Sequence, residues 1–387
     1  MGERTDVVVV GGGVIGASVA WHLARLGLRE VLVLDRGAVP GEGSTGRATG
    51  GFRAQFGTAV NVRLSLLSRE KLRRFQEEVG ADPGYRPCGY LWLASSAREL
   101  EALQAAQRVQ REAGLHEARM VEPRQIAQLN PAVSLDSVIG GAFCPTDGFL
   151  RPLSILRGYL DGARRLGARI RFGEEVTALA RGQDGRIEKV RLASGEISCG
   201  TVVNAAGAWA GVLGRQAGIE VPVAPLRRQV ACTMPSAALP EDMPMTLWTG
   251  DGFHVRVRDG RVLLLRPTPG AADPFEAEVE DSFIREVRAL AERRVPVLAG
   301  VEIDRAHCWA GLYEMSPDGH ALLGWAPGCE NLLLVNGSSG HGVMHAPALG
   351  ALAAEMIAHG TTRSLDVREL RPSRFEEGAL PGGHGLL

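Results

Sequence analysis

The sequence predicts an α/β fold in which a nucleotide-binding domain on a parallel sheet is built from separated stretches, with a second domain inserted between them. Three observations lead there. The run Asp6-Val-Val-Val-Val10 passes straight into Gly11-Gly-Gly-Val-Ile-Gly16 and a helical pattern, the layout of a Rossmann-like unit. A second strand–glycine–helix unit stands near the other end, where Asn331-Leu-Leu-Leu-Val335 enters Asn336-Gly-Ser-Ser-Gly-His-Gly342. Finally, 387 residues with 45% hydrophobic content are long for one core and suit two closely joined domains.

The elements follow in order. Asp6–Val10 is apolar and β-branched, as strands buried on both faces are. Apolar residues at helical spacing run from Ala17 to Leu26, and Gly27 stops that helix. Glu30–Asp35 supplies the next strand and completes a βαβ unit. Helices are predicted over Ala97–Ala113, Pro152–Leu166 and Asp281–Arg294, and β-like alternation over Gly89–Ala94, Arg186–Leu192 and Phe253–Leu265. A last helix runs through Met356, and the Gly-rich tail after Pro372 is expected to fray.

Composition narrows the function classes. Charged residues make up 22% and the formal net charge is −1, which argues against a nucleic-acid surface or a polybasic membrane anchor. The six cysteines (Cys88, Cys144, Cys199, Cys232, Cys308, Cys329) are scattered, so no zinc or iron–sulfur site is expected. A reduced, soluble, cytoplasmic chain is the expectation, with neither a signal peptide nor a membrane span. Lysine is nearly absent, with only Lys71 and Lys189.

The first motif carries chemistry. Gly11 allows a tight turn, Gly13 lets the backbone approach a pyrophosphate, and Gly16 lets the helix pack on the sheet. The free N–H groups at the helix start then favour phosphate charge. Asp35 ends the second strand, where a carboxylate can accept from a ribose diol; it disfavours a 2′-phosphate, although the adjacent Arg36 leaves room for one. The fingerprint alone does not separate FAD from NAD.

Four segments resemble the FAD-dependent amine and amino-acid oxidoreductases that include D-amino-acid oxidase, glycine oxidase and sarcosine oxidase. They are the Gly11–Asp35 unit; the loop Gly43-Ser-Thr-Gly-Arg-Ala-Thr-Gly-Gly-Phe-Arg53; Val202-Val-Asn-Ala-Ala-Gly-Ala-Trp209; and Trp309-Ala-Gly-Leu-Tyr-Glu-Met-Ser-Pro-Asp318 with Gly337-Ser-Ser-Gly-His-Gly-Val-Met344. The nearest likeness is to the β-subunit-like branch of sarcosine oxidases and proline dehydrogenases. The resemblance implies an FAD-binding domain over 1–80, 140–215 and 305–375. It also implies an α+β substrate domain on an antiparallel sheet over 81–139 and 216–304, and a tail over 376–387. Implied cofactor contacts, beside Gly11, Gly13, Val14, Ile15, Gly16, Asp35 and Arg36, are Ser44, Thr45, Thr49, Gly50, Gly51, Val176, Ala206, Gly207, Trp209, Leu312, Gly340, His341, Gly342, Val343 and Met344. The helix opening at Gly340–Met344 would offer its positive end to a flavin that gains charge on reduction.

The implied reaction is oxidation of the Cα–N bond of an amino acid: a secondary or N-methyl amine such as sarcosine or proline, or glycine. By this resemblance Arg53 clamps the substrate carboxylate, a bidentate task that suits a guanidinium. His254 is a candidate to help deprotonate the amine, since histidine titrates in the useful range; Arg266, Tyr313 and His341 are further candidates for the pocket. Departures from the family are informative. Gly311 stands where monomeric sarcosine oxidases carry a flavin-linking cysteine, and Ser44, Thr45 and Gly46 fill the stretch of a flavin-linking histidine, so non-covalent FAD is expected. Tyr313 and Met344 replace an arginine and a lysine that anchor carboxylates in relatives, and Leu265 stands at an oxygen-activating lysine. A dehydrogenase serving an electron carrier or partner subunit is therefore favoured over an oxidase. A 2-hydroxy-acid oxidoreductase of the same fold, a flavin subunit needing its partner, and an NAD-dependent dehydrogenase are the alternatives.

Overall fold

The computed structural model describes residues 3–381. Five parallel strands form the centre of the first sheet, in the spatial order Arg169–Phe172, Val31–Asp35, Glu3–Val10, Gly195–Asn204, Cys329–Asn336. The first and last of the predicted strand–glycine–helix units therefore flank one common strand, Gly195–Asn204. Leu322–Ala326 adds an antiparallel edge, and the hairpin Val176–Arg181/Ile187–Leu192 pairs with the early part of Gly195–Asn204.

Both faces of this sheet are covered. Val7, Val9, Val31 and Val33 point to a core shared with the helices Val14–Arg25, Pro152–Arg165 and Gly342–His359; Val8, Val10, Leu32 and Leu34 point to the hairpin side. That dual burial is why these strands read as unbroken β-branched runs. The first and last helices pack closely, because a Cβ at Gly350 would lie 2.1 Å from Ser18 Oγ.

The second sheet has eight strands, in the order Trp309–Met315, Ala224–Cys232, Arg261–Leu265, His254–Arg258, Met245–Trp248, Tyr90–Ala94, Gly140–Cys144, Arg119–Val121. Its pairs are antiparallel except Met245–Trp248 against Tyr90–Ala94. Helix Asp281–Arg294 covers one face through Phe283, Val287 and Ala291.

Sheet membership departs from the expected boundaries at two points. Gly140–Cys144 and Trp309–Met315 were expected in the nucleotide-binding domain, yet both are strands of the second sheet. Gly-Gly-Ala-Phe-Cys has no alternation to reveal a strand; its glycines allow close pairing, and a Cβ at Gly141 would sit 2.2 Å from the Trp92 carbonyl. The segment after Pro372 also differs from expectation. Pro372–Phe375 forms a short 3-10 helix whose fully buried Arg374 grips both oxygens of Asp318, at 2.8 and 2.9 Å. The end of the expected tail, 382–387, lies outside the described residues. Among the described residues no helix is long and apolar enough to cross a membrane, no His/Cys/Asp/Glu cluster could hold a metal, and all six cysteines are unpaired.

Candidate active site

A single elongated cavity of about 590 Å³ opens at the carboxyl ends of the parallel strands and extends over the second sheet. That is where open α/β sheets bind ligands. Every expected cofactor contact lines it except Gly16, as do all five candidate catalytic residues, Arg53, His254, Arg266, Tyr313 and His341.

At the nucleotide end the turn after Glu3–Val10 is fixed by steric fit. Gly11 has φ +108° and a Cβ there would lie 2.2 Å from the Ala205 carbonyl, so only glycine fits. Gly16 faces inward, where a Cβ would meet the Gly11 carbonyl at 1.9 Å, and this accounts for its place outside the cavity wall. Asp35 accepts from Gly12 N at 2.6 Å and from Gly37 N at 2.7 Å, which aims its carboxylate at the turn and leaves lone pairs for a diol. Arg36 lies 3.8 Å over the Trp209 ring, and Trp209 stacks on Phe275 at 5.4 Å and 19°. Arg36 and Trp209 line this end, with Phe275 stacked behind on the Trp209 ring.

The loop Gly43–Arg53 begins as a short helix, Ser44–Arg47, and is stitched to neighbouring elements. Thr45 Oγ1 accepts from Val14 N at 3.1 Å, Ser44 Oγ donates to Leu312 O at 2.7 Å, and Arg47 Nη1 donates to Ala310 O at 2.8 Å. From the second sheet, Arg256 donates to Thr49 O at 2.5 Å and Arg258 to Ala48 O at 3.2 Å. These two arginines escaped the sequence reading because the contact is long-range and made to backbone. On the far side, Asn336 donates to Asn204 Oδ1 at 3.4 Å, and that oxygen also accepts from Ala206 N at 3.2 Å, coupling the two remaining glycine-bearing loops. His341 stands at the N-cap position of the helix Gly342–His359, whose first residues line the cavity.

At the other end Arg53 is buried. Its Nη1 donates to Gln55 O at 2.7 Å, its Nη2 to His341 Nε2 at 3.0 Å, and its guanidinium lies 4.0 Å from the Phe56 ring centre. Burial lowers its pKa to about 10, so it remains a cation at neutral pH. Accepting that bond fixes His341 with its Nε2 lone pair towards Arg53. Asp147, fully buried, supports the loop by accepting from Ala54 N at 2.8 Å and Gln55 Nε2 at 3.1 Å.

Two expectations need correction. His254 Nδ1 donates to Gly252 O at 2.8 Å, which leaves Nε2 as an acceptor. Burial first, then the charges of Arg53 and Arg228, depress its pKa to about 4. It is a neutral hydrogen-bond acceptor at pH 7, outside the range of an efficient base. Arg266 touches the cavity, but its guanidinium pairs with Glu286 at 2.9 Å, so its charge is directed to the helix Asp281–Arg294. Tyr313 is 37% exposed and forms cavity wall, with its phenol pKa raised by burial. Its ring fills the space above Gly340, where a Cβ would meet Tyr313 Cε2 at 2.3 Å.

Sequence reasoning missed three more residues of this end: Trp92, Arg228 and Glu314. Arg228 lies 5.4 Å over the Tyr313 ring. Glu314 is buried; one carboxyl oxygen accepts from Ser338 N at 3.2 Å while Oε2 has no partner, and burial raises its pKa to about 7. Its place in Tyr-Glu-Met-Ser-Pro-Asp, inside a resembling segment, was the available signal.

The shape suits a dinucleotide: glycines where a Cβ would collide, a diol acceptor, an aromatic wall and a helix start, all on one cavity. Comparison with known proteins agrees. Residues 6–356 match the family model described as FAD dependent oxidoreductase. The chain is 29% identical over 397 residues to the mitochondrial dimethylglycine dehydrogenase of Rattus norvegicus, covering 96% of this chain but only 45% of that protein. It is 30% identical over 418 residues to FAD-dependent oxidoreductase domain-containing protein 1 of Xenopus laevis, covering 96% of this chain and 83% of that one. Among solved structures, L-proline dehydrogenase from P. horikoshii superposes with a TM-score of 0.90 at 28% identity, covering 98% of this chain and all of that one. The chain belongs to the FAD-dependent oxidoreductase family.

Proposed function

We propose that this chain oxidises the Cα–N bond of a secondary or N-methyl amino acid with non-covalently held FAD. The observation that carries the reading is the buried Arg53 cation in the same cavity as the dinucleotide cradle, beside neutral, acceptor-only His254 Nε2. Dimethylglycine and L-proline, in the names of two similar proteins, are both amino acids without a primary amine.

When bound, FAD supplies the hydride acceptor. Gly11, Gly13 and the start of helix Val14–Arg25 would hold its pyrophosphate, Asp35 its ribose, and the Trp209 wall its adenine end. Loop Thr49–Gly51 and the start of helix Gly342–His359 would border the ring. Arg53 would bind the substrate carboxylate and fix its orientation. Arg53 and Arg228 together disfavour an ammonium in this end of the cavity, so the substrate binds as the neutral amine that hydride loss requires. His254 Nε2 would accept the N–H of a secondary amine, and buried Trp92 walls this end of the cavity.

Non-covalent attachment is supported at position 311, where a Cβ would already press on Arg47 Cβ at 2.9 Å. Neither lysine lines the cavity, and Leu265 is buried in its wall, which supports a dehydrogenase serving a carrier or partner subunit rather than an oxidase. The unpaired cysteines support a reducing, cytoplasmic setting. The test is anaerobic addition of sarcosine, dimethylglycine or L-proline with the visible spectrum recorded. Bleaching is expected, followed by fast dye reduction and slow peroxide release. Bleaching by 2-hydroxy acids alone would overturn the proposal.

A further inference from the structure

The substrate end of the cavity carries a second, half-buried cation, and its surroundings say what it is for. Arg228 lies on Ala224–Cys232 directly across from Gly311. Burial lowers its pKa. Its Nη1 donates to the Thr268 and Arg227 carbonyls, at 2.9 and 3.2 Å, and no carboxylate among the described residues lies within ion-pair distance. Its neighbours are treated differently: Arg227 pairs with Glu276 and Glu280, and Arg266 with Glu286.

The wall offers Arg228 no compensation. Asp35, Glu42 and Glu174 are occupied at the nucleotide end by Gly12 and Gly37, Ala38, and Ser194, and Glu175, beside Glu174, forms no ion pair with Arg228. Glu314, the carboxyl nearest in sequence to Tyr313, is held largely protonated below neutrality. Yet the fields of both Arg53 and Arg228 reach His254 and Tyr313, so the two cations share one compartment. A partly desolvated cation without a counter-ion is favoured by a ligand that brings one.

We propose that Arg228 binds a second carboxylate of the substrate, so that the preferred substrates are N-substituted amino acids bearing two carboxylates. This rests on the amine-oxidation reading and deepens it. Arg53 holds the carboxylate next to the reacting carbon; Arg228, seated over Tyr313, holds the distal one. The reaction is unchanged: bound FAD would take the Cα–H as hydride while the nitrogen lone pair forms the C=N bond, and both carboxylates would stay intact.

The experiment uses the FAD-loaded enzyme under anaerobic conditions. N-(carboxymethyl)glycine and N-methylglutamate are compared with sarcosine and L-proline by stopped-flow bleaching. In parallel, the inert anions glutarate and acetate are titrated against the flavin spectrum. The dicarboxylic amines are expected to give at least tenfold higher second-order rates, and glutarate to perturb the spectrum at far lower concentration than acetate. Arg228→Gln should reduce the dicarboxylate-to-monocarboxylate ratio by about tenfold, removing most of the preference. Arg228→Lys should restore part of it. Equal rates for both substrate classes, or a ratio unmoved by Arg228→Gln, would overturn the second-carboxylate site while leaving amine oxidation standing. Failure of every amine to bleach the flavin would instead overturn the reaction; glutarate binding lost in Arg228→Gln would still support the site.

Discussion

Replacing Glu314 by glutamine should stabilise the protein at alkaline pH and leave it unchanged in acid. The folded chain holds this carboxyl at about 7, against an ordinary 4.5, because it is buried with one oxygen on Ser338 N and the other unpartnered. Below pH 4.5 the group is protonated in both folded and unfolded chains and adds no pH dependence. Between 4.5 and 7 the folded chain keeps a proton that the unfolded chain has released, so stability falls as pH rises. Above 7 the full penalty applies, up to about 3 kcal/mol at 1.36 kcal/mol for each pKa step. The amide of Gln keeps a carbonyl oxygen to accept from Ser338 N and places N–H donors where the protonated acid has its O–H, without a proton to lose. Urea unfolding of flavin-stripped wild type and Glu314→Gln, measured from pH 4.5 to 8.5, reads the difference directly; contributions from Asp147 and other groups cancel between the two proteins. Midpoints should coincide near pH 4.5 and separate in favour of the variant by pH 8. A constant offset, or a variant weaker at pH 8, would show that Glu314 is ionised and compensated, and would refute the reasoning.

Arg53→Met should lower kcat/KM for amino-acid substrates by about 30-fold to several thousand-fold, the range for removing one partner of a buried charge pair, with FAD still bound; Arg53→Lys should recover little, because an ammonium cannot reproduce the planar fork. Gly16→Ala forces the Gly11 turn to move, since the new methyl would lie 1.9 Å from its carbonyl, and overpacking of about 1–3 kcal/mol should weaken FAD affinity by roughly 5- to 150-fold in a flavin-fluorescence titration. Acid precipitation should leave the yellow colour in the supernatant; colour in the pellet would mean a covalent link that Gly311 and Gly46 give no reason to expect.

Much of this architecture was written locally. The Asp6–Val10 run, the Gly11–Gly16 turn and Asp35 specify a βαβ unit through short-range rules, and helix Asp281–Arg294 matches its predicted limits. What escaped was non-local. Gly140–Cys144 is a strand only because its glycines let it pair tightly with Tyr90–Ala94, and no periodicity marks it. His254 looked like a base because its type titrates near neutrality; its depression to about 4 comes from burial and from arginines far along the chain. Arg266 and Arg228 are equivalent as letters, and only the fold hands one to Glu286 and leaves the other on the cavity wall. Residue type announces which charges are available, but the tertiary neighbours decide which are neutralised.

The most direct measurement is the visible spectrum of the purified protein before and after anaerobic addition of a secondary or N-methyl amino acid. Yellow material with flavin bands that fade on mixing is the predicted result. Protein that is colourless, and stays so after incubation with FAD, would contradict the account at its base.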